Sequence, residues 1–125
     1  ASMCAFKPPA TFYVCTEEKD NLDFADPNYE TLARILKMAY DQASAGKGKE
    51  RHANGRKFDD QPIMTIAKDH GLGYQTGQAE KKLKEAHTLL KLKGKEAAIR
   101  ELLGAINYTA AAIAFIENME EGETK

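Results

Sequence analysis

The stretch LLGAINYTAAAIAFI, residues 102–116, decides what kind of fold this chain can have. As a helix, this stretch is apolar on nearly every side. Gly104 and several alanines keep the diameter of the helix small. A helix that is apolar all round is buried all round, and small residues let neighbouring helices come close. We therefore expect this helix inside a bundle, with a second copy of the chain covering what one small bundle leaves open.

Asn107 interrupts this apolar stretch. A buried amide side chain must find hydrogen-bond partners. The preferred interpretation is a structural contact within the bundle or across a dimer, and the alternative is a contact to a ligand.

Helix-start and helix-stop residues organise the rest of the chain. Asp26 followed by Pro27 is typical of a helix start, Gln61-Pro62 suggests another, and Gly46 and Gly94 are typical breaks. The predicted helices cover about residues 27–45, 62 to the glycines at 71 and 73, 75–90, and 95–119.

The N-terminal segment differs in pattern from the rest. Residues 11–16 are β-branched and aromatic, which predicts a short strand. We expect a mainly α protein: an N-terminal extension over residues 1–25 with this short β segment, and one small helical domain over residues 26–125 that oligomerises through its buried C-terminal helix. Cys4 and Cys15 are interpreted as free thiols, with a disulfide as the alternative.

The bulk composition excludes some classes of protein. The chain has 125 residues and a net charge of −1, so its overall charge does not favour binding of a long nucleic acid. We identify no apolar run long enough to span a membrane and no signal peptide, and expect no membrane partner.

A dense basic loop, GKGKERHANGRKF at residues 46–58, stands out against this neutral background. Five of its residues are Lys or Arg and three are Gly. Glycines let backbone N–H groups turn toward a ligand, Arg grips phosphate with two parallel hydrogen bonds, and Lys adds a point charge. The predicted phosphate-binding residues are Lys47, Lys49, Arg51 and His52. The spacing is not that of the nucleoside-triphosphate P-loop.

A second glycine-rich turn, GLGYQTGQ at residues 71–78, leads into the third predicted helix. Tyr74 is interpreted either as a surface on which a nucleobase stacks or as a core aromatic. Gln75, Thr76 and Gln78 are predicted to hydrogen-bond a sugar or base. The lysines between residues 81 and 95 are interpreted as a solvated helix face.

Catalysis is poorly supported by the sequence. The three histidines sit on separate elements, and no nucleophile has a recognisable context. Glu117 and Glu120 have the spacing of one magnesium-binding pair in all-helical nucleotide pyrophosphohydrolases, but no second pair follows. We predict no catalytic residue, metal or cofactor, and therefore a protein that binds a nucleotide without turning it over.

Five motifs in order resemble the first-described family of phage anti-Thoeris proteins. They are YETL at 29–32, GKGKERHA at 46–53, FDDQPI at 58–63, GQAEKK at 77–82 and ELLGAINY at 101–108. GKGKERHA is the most specific, and the ordered set covers most of the chain.

The resemblance implies a viral immune-evasion protein that acts as a sponge in the cytoplasm of the infected bacterium. Such proteins sequester glycocyclic ADP-ribose, the alarm signal made by bacterial TIR-domain proteins, without cleaving it. Some also hold cyclic di- or trinucleotides at a separate site in a hexamer. This implies a small-molecule signalling nucleotide as ligand and a homo-oligomer, either a dimer or a trimer of dimers.

The implied ligand extends the set of candidate site residues. Arg56 and Lys82 are further candidates for phosphate, and Tyr74, Tyr108 or Phe58 for stacking on adenine. Arg100 is another candidate, with an intrahelical ion pair to Glu96 as the alternative. Two rival functions stay open: a small nucleotide pyrophosphohydrolase, and a regulatory oligomer whose basic loop binds protein or nucleic acid.

Overall fold

A computed structural model describes residues 24–45 and 55–120, together with the strand residues Phe6–Lys7 (β1) and Thr11–Phe12 (β2). The protein is mainly helical, which confirms the predicted class. The rest of residues 1–23 lies outside the described residues, so the predicted strand over residues 11–16 stays a prediction.

Four α-helices follow one another in residues 24–45 and 55–120, as predicted. They are α1 (Glu30–Ala45), α2 (Pro62–His70), α3 (Gly73–Leu92) and α4 (Lys95–Glu117), with 3-10 turns at Pro27–Tyr29 and Phe58–Asp60. The capping prediction at the first start is confirmed, because the Asp26 carboxylate accepts a hydrogen bond from the Asn28 backbone N–H at 2.9 Å. The helix α3 starts two residues earlier than predicted, at Gly73.

The chain divides into two units, Ala1–Arg34 and Ile35–Lys125. In the first unit, the described part consists of the strands β1 and β2, the Asp26 cap, the 3-10 turn and the first turn of α1. The second unit holds the rest of α1 and all of α2, α3 and α4. The predicted domain boundary after residue 25 stays a prediction.

The helices α3 and α4 form the main packing pair of the second unit. A two-residue connection joins them, and the N–H groups of Lys93 and Gly94 both donate to the Leu89 carbonyl, at 2.8 and 3.0 Å. Gly94 has a φ of 99°, which turns the chain back. The two helices therefore run side by side in opposite directions.

The core between the helices is built of alanine. Nine of the eleven buried apolar residues described are Ala, and the other two are Met64 and Leu103. Small side chains let the helix backbones approach closely, but each buries little apolar area, and burial stabilises by only about 25 cal/mol per Å². The core of one chain is consequently thin.

Many of the larger apolar side chains lie outside this core. Seven on α3 and α4 are between 42% and 75% exposed: Leu83, Leu90, Leu92, Ile99, Leu102, Ile113 and Ile116. A single chain therefore leaves one side of α4 open, as expected, and the cover by a second copy stays a prediction. Five of its alanines are buried, while Ile99, Ile113 and Ile116 are exposed.

The helix α4 is also long and apolar enough to cross a membrane, judged by length and composition only. Its most apolar window has a mean hydropathy of 1.3, and 28% of that window is buried. The expectation of no such run was wrong by this criterion, because the alanines between the isoleucines keep the average high.

Candidate functional site

The most specific part of the predicted site lies outside the described residues. Lys47, Lys49, Arg51 and His52 belong to residues 46–54, between the end of α1 and Gly55. Their assignment to phosphate stays a prediction. Arg56 follows shortly after residues 46–54 and is exposed. Its carbonyl accepts a hydrogen bond from the Gln61 side chain at 3.0 Å. Phe58 follows in the 3-10 turn and is half-buried.

The structure brings four residues of α3 and α4 together in what we call the tyrosine–lysine cluster: Tyr74, Lys82, Glu101 and Tyr108. The two tyrosine rings meet edge to face, with centroids 6.1 Å apart and planes at 78°. The Lys82 ammonium lies 5.9 Å from the Tyr108 ring centroid, within the range of a cation–π contact. Two of the predicted site residues, Tyr74 and Lys82, are thus close to the same ring.

Lys82 also faces a carboxylate across the helix pair. Its Nζ lies 3.6 Å from Glu101 Oε1, and the two side chains are 27% and 24% exposed. A strong charge-assisted N–H···O bond is shorter, about 2.7–2.9 Å. The ammonium therefore keeps hydrogen-bonding capacity that a ligand oxygen can use.

Gly104 leaves room for the Lys82 side chain to cross α4. A Cβ placed on Gly104 would lie 2.8 Å from Lys82 Cδ and 3.1 Å from Cε. Only a residue without a side chain leaves room for the lysine stem to lie flat against the α4 backbone. The glycine thus positions the ammonium between Glu101 and Tyr108.

Tyr108 is held in its neutral form. Burial raises the pKa of Tyr108 to about 12, and a hydrogen bond with Tyr74 adds to the rise. At neutral pH its hydroxyl is therefore a hydrogen-bond donor and acceptor without charge. The cluster combines one cation, one carboxylate and two aromatic rings in a half-buried setting.

Gln75 lies elsewhere and has a structural contact. It is fully buried, and its Nε2 donates to the Ile63 carbonyl at 2.9 Å and reaches Met64 Sδ at 3.6 Å, which ties α3 to α2. Its Oε1 has no protein partner among the described residues. The predicted sugar contact would have to reach this enclosed amide.

The predicted glycine-rich turn is mostly helix. Only Gly71, with a φ of 84°, and Leu72 form the turn, and Gly73 and Gly77 belong to α3. Thr76 is exposed, and its hydroxyl donates a hydrogen bond to the Leu72 carbonyl at 3.3 Å. Gln78 is half-buried. Thr76 lies one helical turn before Glu80. Its neighbours Gln75 and Tyr74 point to other sides of the helix, so the polar residues of this segment do not share one face.

Asn107 and Arg100 both lie where α4 meets α1. Asn107 Nδ2 donates to the Ala39 carbonyl at 3.0 Å, in agreement with the preferred structural interpretation. The Arg100 carbonyl accepts from Gln42 Nε2 at 3.4 Å, and its guanidinium is exposed. Within residues 24–45 and 55–120 Arg100 has no ion pair, so the alternative pairing with Glu96 is absent.

The neighbouring lysines of α3 fit the interpretation of a solvated face. Lys81 pairs with Glu85 at 3.7 Å and Lys84 with Glu80 at 3.1 Å, each one turn apart and all largely exposed. Such pairs contribute little to stability. In the described part of the chain, no group of three or more His, Cys, Asp or Glu residues could hold a metal ion.

Sequence reasoning missed Glu101 and Gly104. They share a face of α4 with Tyr108, at positions three and four residues apart, and this spacing was the available signal. That Lys82 would lie against this face depends on the register of α3 on α4.

Comparison with known proteins finds no family model, no curated protein and no solved structure that matches the chain.

Proposed function

We propose that this protein binds a cyclic nucleotide signal of the glycocyclic ADP-ribose type and sequesters it without cleavage. In this proposal it is a phage anti-defence sponge that acts in the host cytoplasm as a homo-oligomer, a dimer or a trimer of dimers. The observation that carries the proposal is the Lys82 ammonium held over the Tyr108 ring beside Tyr74. The ordered motifs, with GKGKERHA foremost, support the same ligand.

The chemistry of the cluster suits such a ligand. A cyclic ADP-ribose derivative presents an adenine, ribose hydroxyls and a pyrophosphate. The tyrosine rings offer a stacking surface, Lys82 a charge for a phosphate oxygen, and Glu101 an acceptor for a ribose hydroxyl. The neutral Tyr108 hydroxyl does not repel the anion. The basic loop supplies the additional positive charge that two phosphates need, through Lys47 and Arg51.

The fate of the ligand separates a sponge from an enzyme. The protein is incubated with glycocyclic ADP-ribose, freed of unbound ligand and heated, and the released compound is weighed by mass spectrometry. We expect the intact ligand. An altered mass would indicate turnover and favour the alternative, a small nucleotide pyrophosphohydrolase. Absence of any released nucleotide would refute the proposal.

Matched variants test which residues hold the phosphate. Losing a charge-assisted hydrogen bond costs on the order of 1.5–3 kcal/mol, so Arg51→Ala should weaken binding by roughly ten- to a hundred-fold. Arg51→Lys should fall between, because it keeps charge without the two-pronged geometry. Lys91→Ala, on α3, is the control and should bind normally. Equal binding by Arg51→Ala and wild type would show that the arginine does not contact ligand.

A second pair of variants tests the cluster itself. Lys82→Met keeps an unbranched stem beside Gly104 and removes the charge, so we expect binding to weaken about tenfold or more. Lys81→Met is the matched control, because Lys81 lies one position away and pairs with Glu85 on the exposed side of α3. Isothermal titration with the ligand compares the two. Similar affinities for both variants would exclude the cluster from the site.

A further inference from the structure

Gln75, the third residue of α3, carries two buried polar groups that find no partner in the protein. The residue is completely buried, and its Nε2 donates to the Ile63 carbonyl at 2.9 Å. The other atom of the same amide, Oε1, accepts no hydrogen bond from the residues that the structure describes. The amide cannot be turned round, because the Ile63 carbonyl and the Met64 sulfur are both acceptors and require its N–H side.

The backbone N–H of Gln75 is the second of these groups. In the first turn of α3, the Tyr74 N–H donates to the Gly71 carbonyl at 3.2 Å. The Thr76 N–H donates to the Leu72 carbonyl, also at 3.2 Å. The Gln75 N–H lies between these two and has no carbonyl partner within residues 55–120. The N-cap residue is Leu72, whose apolar side chain cannot satisfy this donor.

Two such groups on one enclosed residue need an explanation. Buried backbone N–H groups without a partner are rare in folded proteins, and a buried side-chain carbonyl without a donor has lost its hydration for nothing. Both atoms belong to Gln75, and helical side chains lean toward the N-terminal end of their helix. One small molecule can therefore contact the N–H and Oε1 together.

The chemistry of the two groups specifies that molecule. The N–H needs an acceptor and Oε1 needs a donor. A cation accepts no hydrogen bond and is repelled by the positive N-terminal end of a helix. A phosphate or carboxylate would face the lone pairs of Oε1. An O–H group meets both demands with one oxygen atom, and inside a fully enclosed site the carrier of that O–H group is water.

We propose that the first turn of α3 binds one internal water molecule, which accepts a hydrogen bond from the Gln75 N–H and donates one to Gln75 Oε1. Internal waters of this kind satisfy buried polar groups and are costly to remove. The water completes the junction between α2 and α3 that the contact of Nε2 with Ile63 begins. The inference goes beyond the proposed function and assigns Gln75 to internal hydration in place of the predicted sugar contact.

Nuclear Overhauser effects between water and protein protons test the site in the full wild-type chain. A water held inside a protein gives effects of the same sign as those between protein protons, whereas surface water exchanges too fast to do so. We expect such an effect at the backbone N–H of Gln75. The rotating-frame measurement separates it from proton exchange, and Thr76→Val removes a neighbouring hydroxyl proton that could imitate water. The signal should persist in Thr76→Val.

A matched pair of variants tests the role of the side-chain oxygen. Gln75→Met keeps an unbranched side chain but has no Oε1, so we expect the water effect at the N–H of residue 75 to be lost. Gln78→Met, on the same helix and half-buried, is the control and should keep it. Should Gln75→Met fail to fold, the wild type and Thr76→Val still decide the matter.

Three results would overturn the proposal. They are a wild type without an internal-water effect at the Gln75 N–H, a signal that disappears in Thr76→Val, and a signal that survives unchanged in Gln75→Met. Each would mean that no water bridges the two groups.

Addition of glycocyclic ADP-ribose separates internal water from a ligand hydroxyl. We expect the water effect to persist at saturating ligand, because Gln75 is enclosed. Replacement of the water effect by one from a ribose proton would overturn the assignment and support the sugar contact. A protein that shows the water but binds no nucleotide would support this inference and refute the proposed function.

Discussion

Gly104 shows how one missing side chain can place a charge. The lysine stem that crosses it belongs to α3, and the ammonium that it positions meets Glu101 and Tyr108 of α4. The glycine weakens α4 by roughly 1 kcal/mol relative to alanine, because it lacks helix propensity. A residue that costs stability yet permits a half-buried cation suggests that the placement of Lys82 matters to the protein.

Replacing Gly104 with alanine separates the two effects. The new methyl displaces the flexible end of Lys82 rather than backbone, so we expect the free energy of unfolding to stay within about 1 kcal/mol of wild type. Lys82 should leave the cluster and react faster with an amine-specific reagent, read by mass spectrometry.

Gly77→Ala is the control for that measurement. A Cβ on Gly77 meets nothing within 4 Å, so this change should gain up to about 1 kcal/mol and leave the reactivity of Lys82 unchanged. Severe destabilisation by Gly104→Ala alone would mean that the space beside α4 is needed for backbone packing.

Tyr108 should make stability depend on pH in the alkaline range. Its pKa rises from 10.0 to about 12 on folding. Below pH 10 the phenol is neutral in both states, and its contribution to stability is fully present. Between pH 10 and 12 only the unfolded chain ionises readily, so the free energy of unfolding falls. Tyr108→Phe should show a shallower fall in denaturant unfolding across this range, and parallel curves would contradict the assignment.

At the scale of the elements, the glycines that end helices adopt an uncommon conformation. Gly71 has φ 84° and ψ −178°, and Gly94 has φ 99° and ψ −173°. This region is essentially restricted to glycine and differs from the left-handed helical region that asparagine tolerates. The α2–α3 and α3–α4 connections therefore depend on a backbone conformation that residues other than glycine do not adopt easily.

Gly94→Ala should destabilise the protein by roughly 1–3 kcal/mol, measured by thermal or denaturant unfolding. No atom lies within 4 Å of the added Cβ, so the cost is one of backbone conformation alone. Gly94→Asn should be no better than Gly94→Ala. A clear recovery with asparagine would show that the turn can relax to the left-handed helical region.

The elements themselves were largely predictable from local signals. The cap at Asp26, the proline at position 62 and the break at Gly94 gave four helices with boundaries within three residues of the structure. The start of α3 was placed two residues too late, at residue 75, because Gly73 was assigned to a glycine-rich turn. Packing of Gln75 and Ala79 on the buried side of α3 extends that helix back to Gly73 against the low helix propensity of glycine.

At the scale of the whole molecule, the candidate site was only partly predictable. Tyr74 was named from residue chemistry, and Lys82 and Tyr108 from the ligand that the resemblance implies. Their meeting depends on the register of two antiparallel helices, which local pattern does not specify. Glu101 was missed for the same reason. The outward direction of the α4 isoleucines was also missed, because an all-apolar helix does not indicate which side its own chain covers.

The alanine-lined core has a practical consequence for mutagenesis. Trimming side chains to alanine, the usual survey, leaves this interior unchanged at nine of its eleven apolar positions, so it would report a tolerant protein. Informative substitutions run in the opposite direction, toward bulk. At Ala67 and Ala111, which are completely enclosed, even valine must push two helices apart, at a typical cost of about 1–3 kcal/mol. Systematic substitution by larger residues would therefore identify the tightly packed core positions that alanine scanning cannot detect.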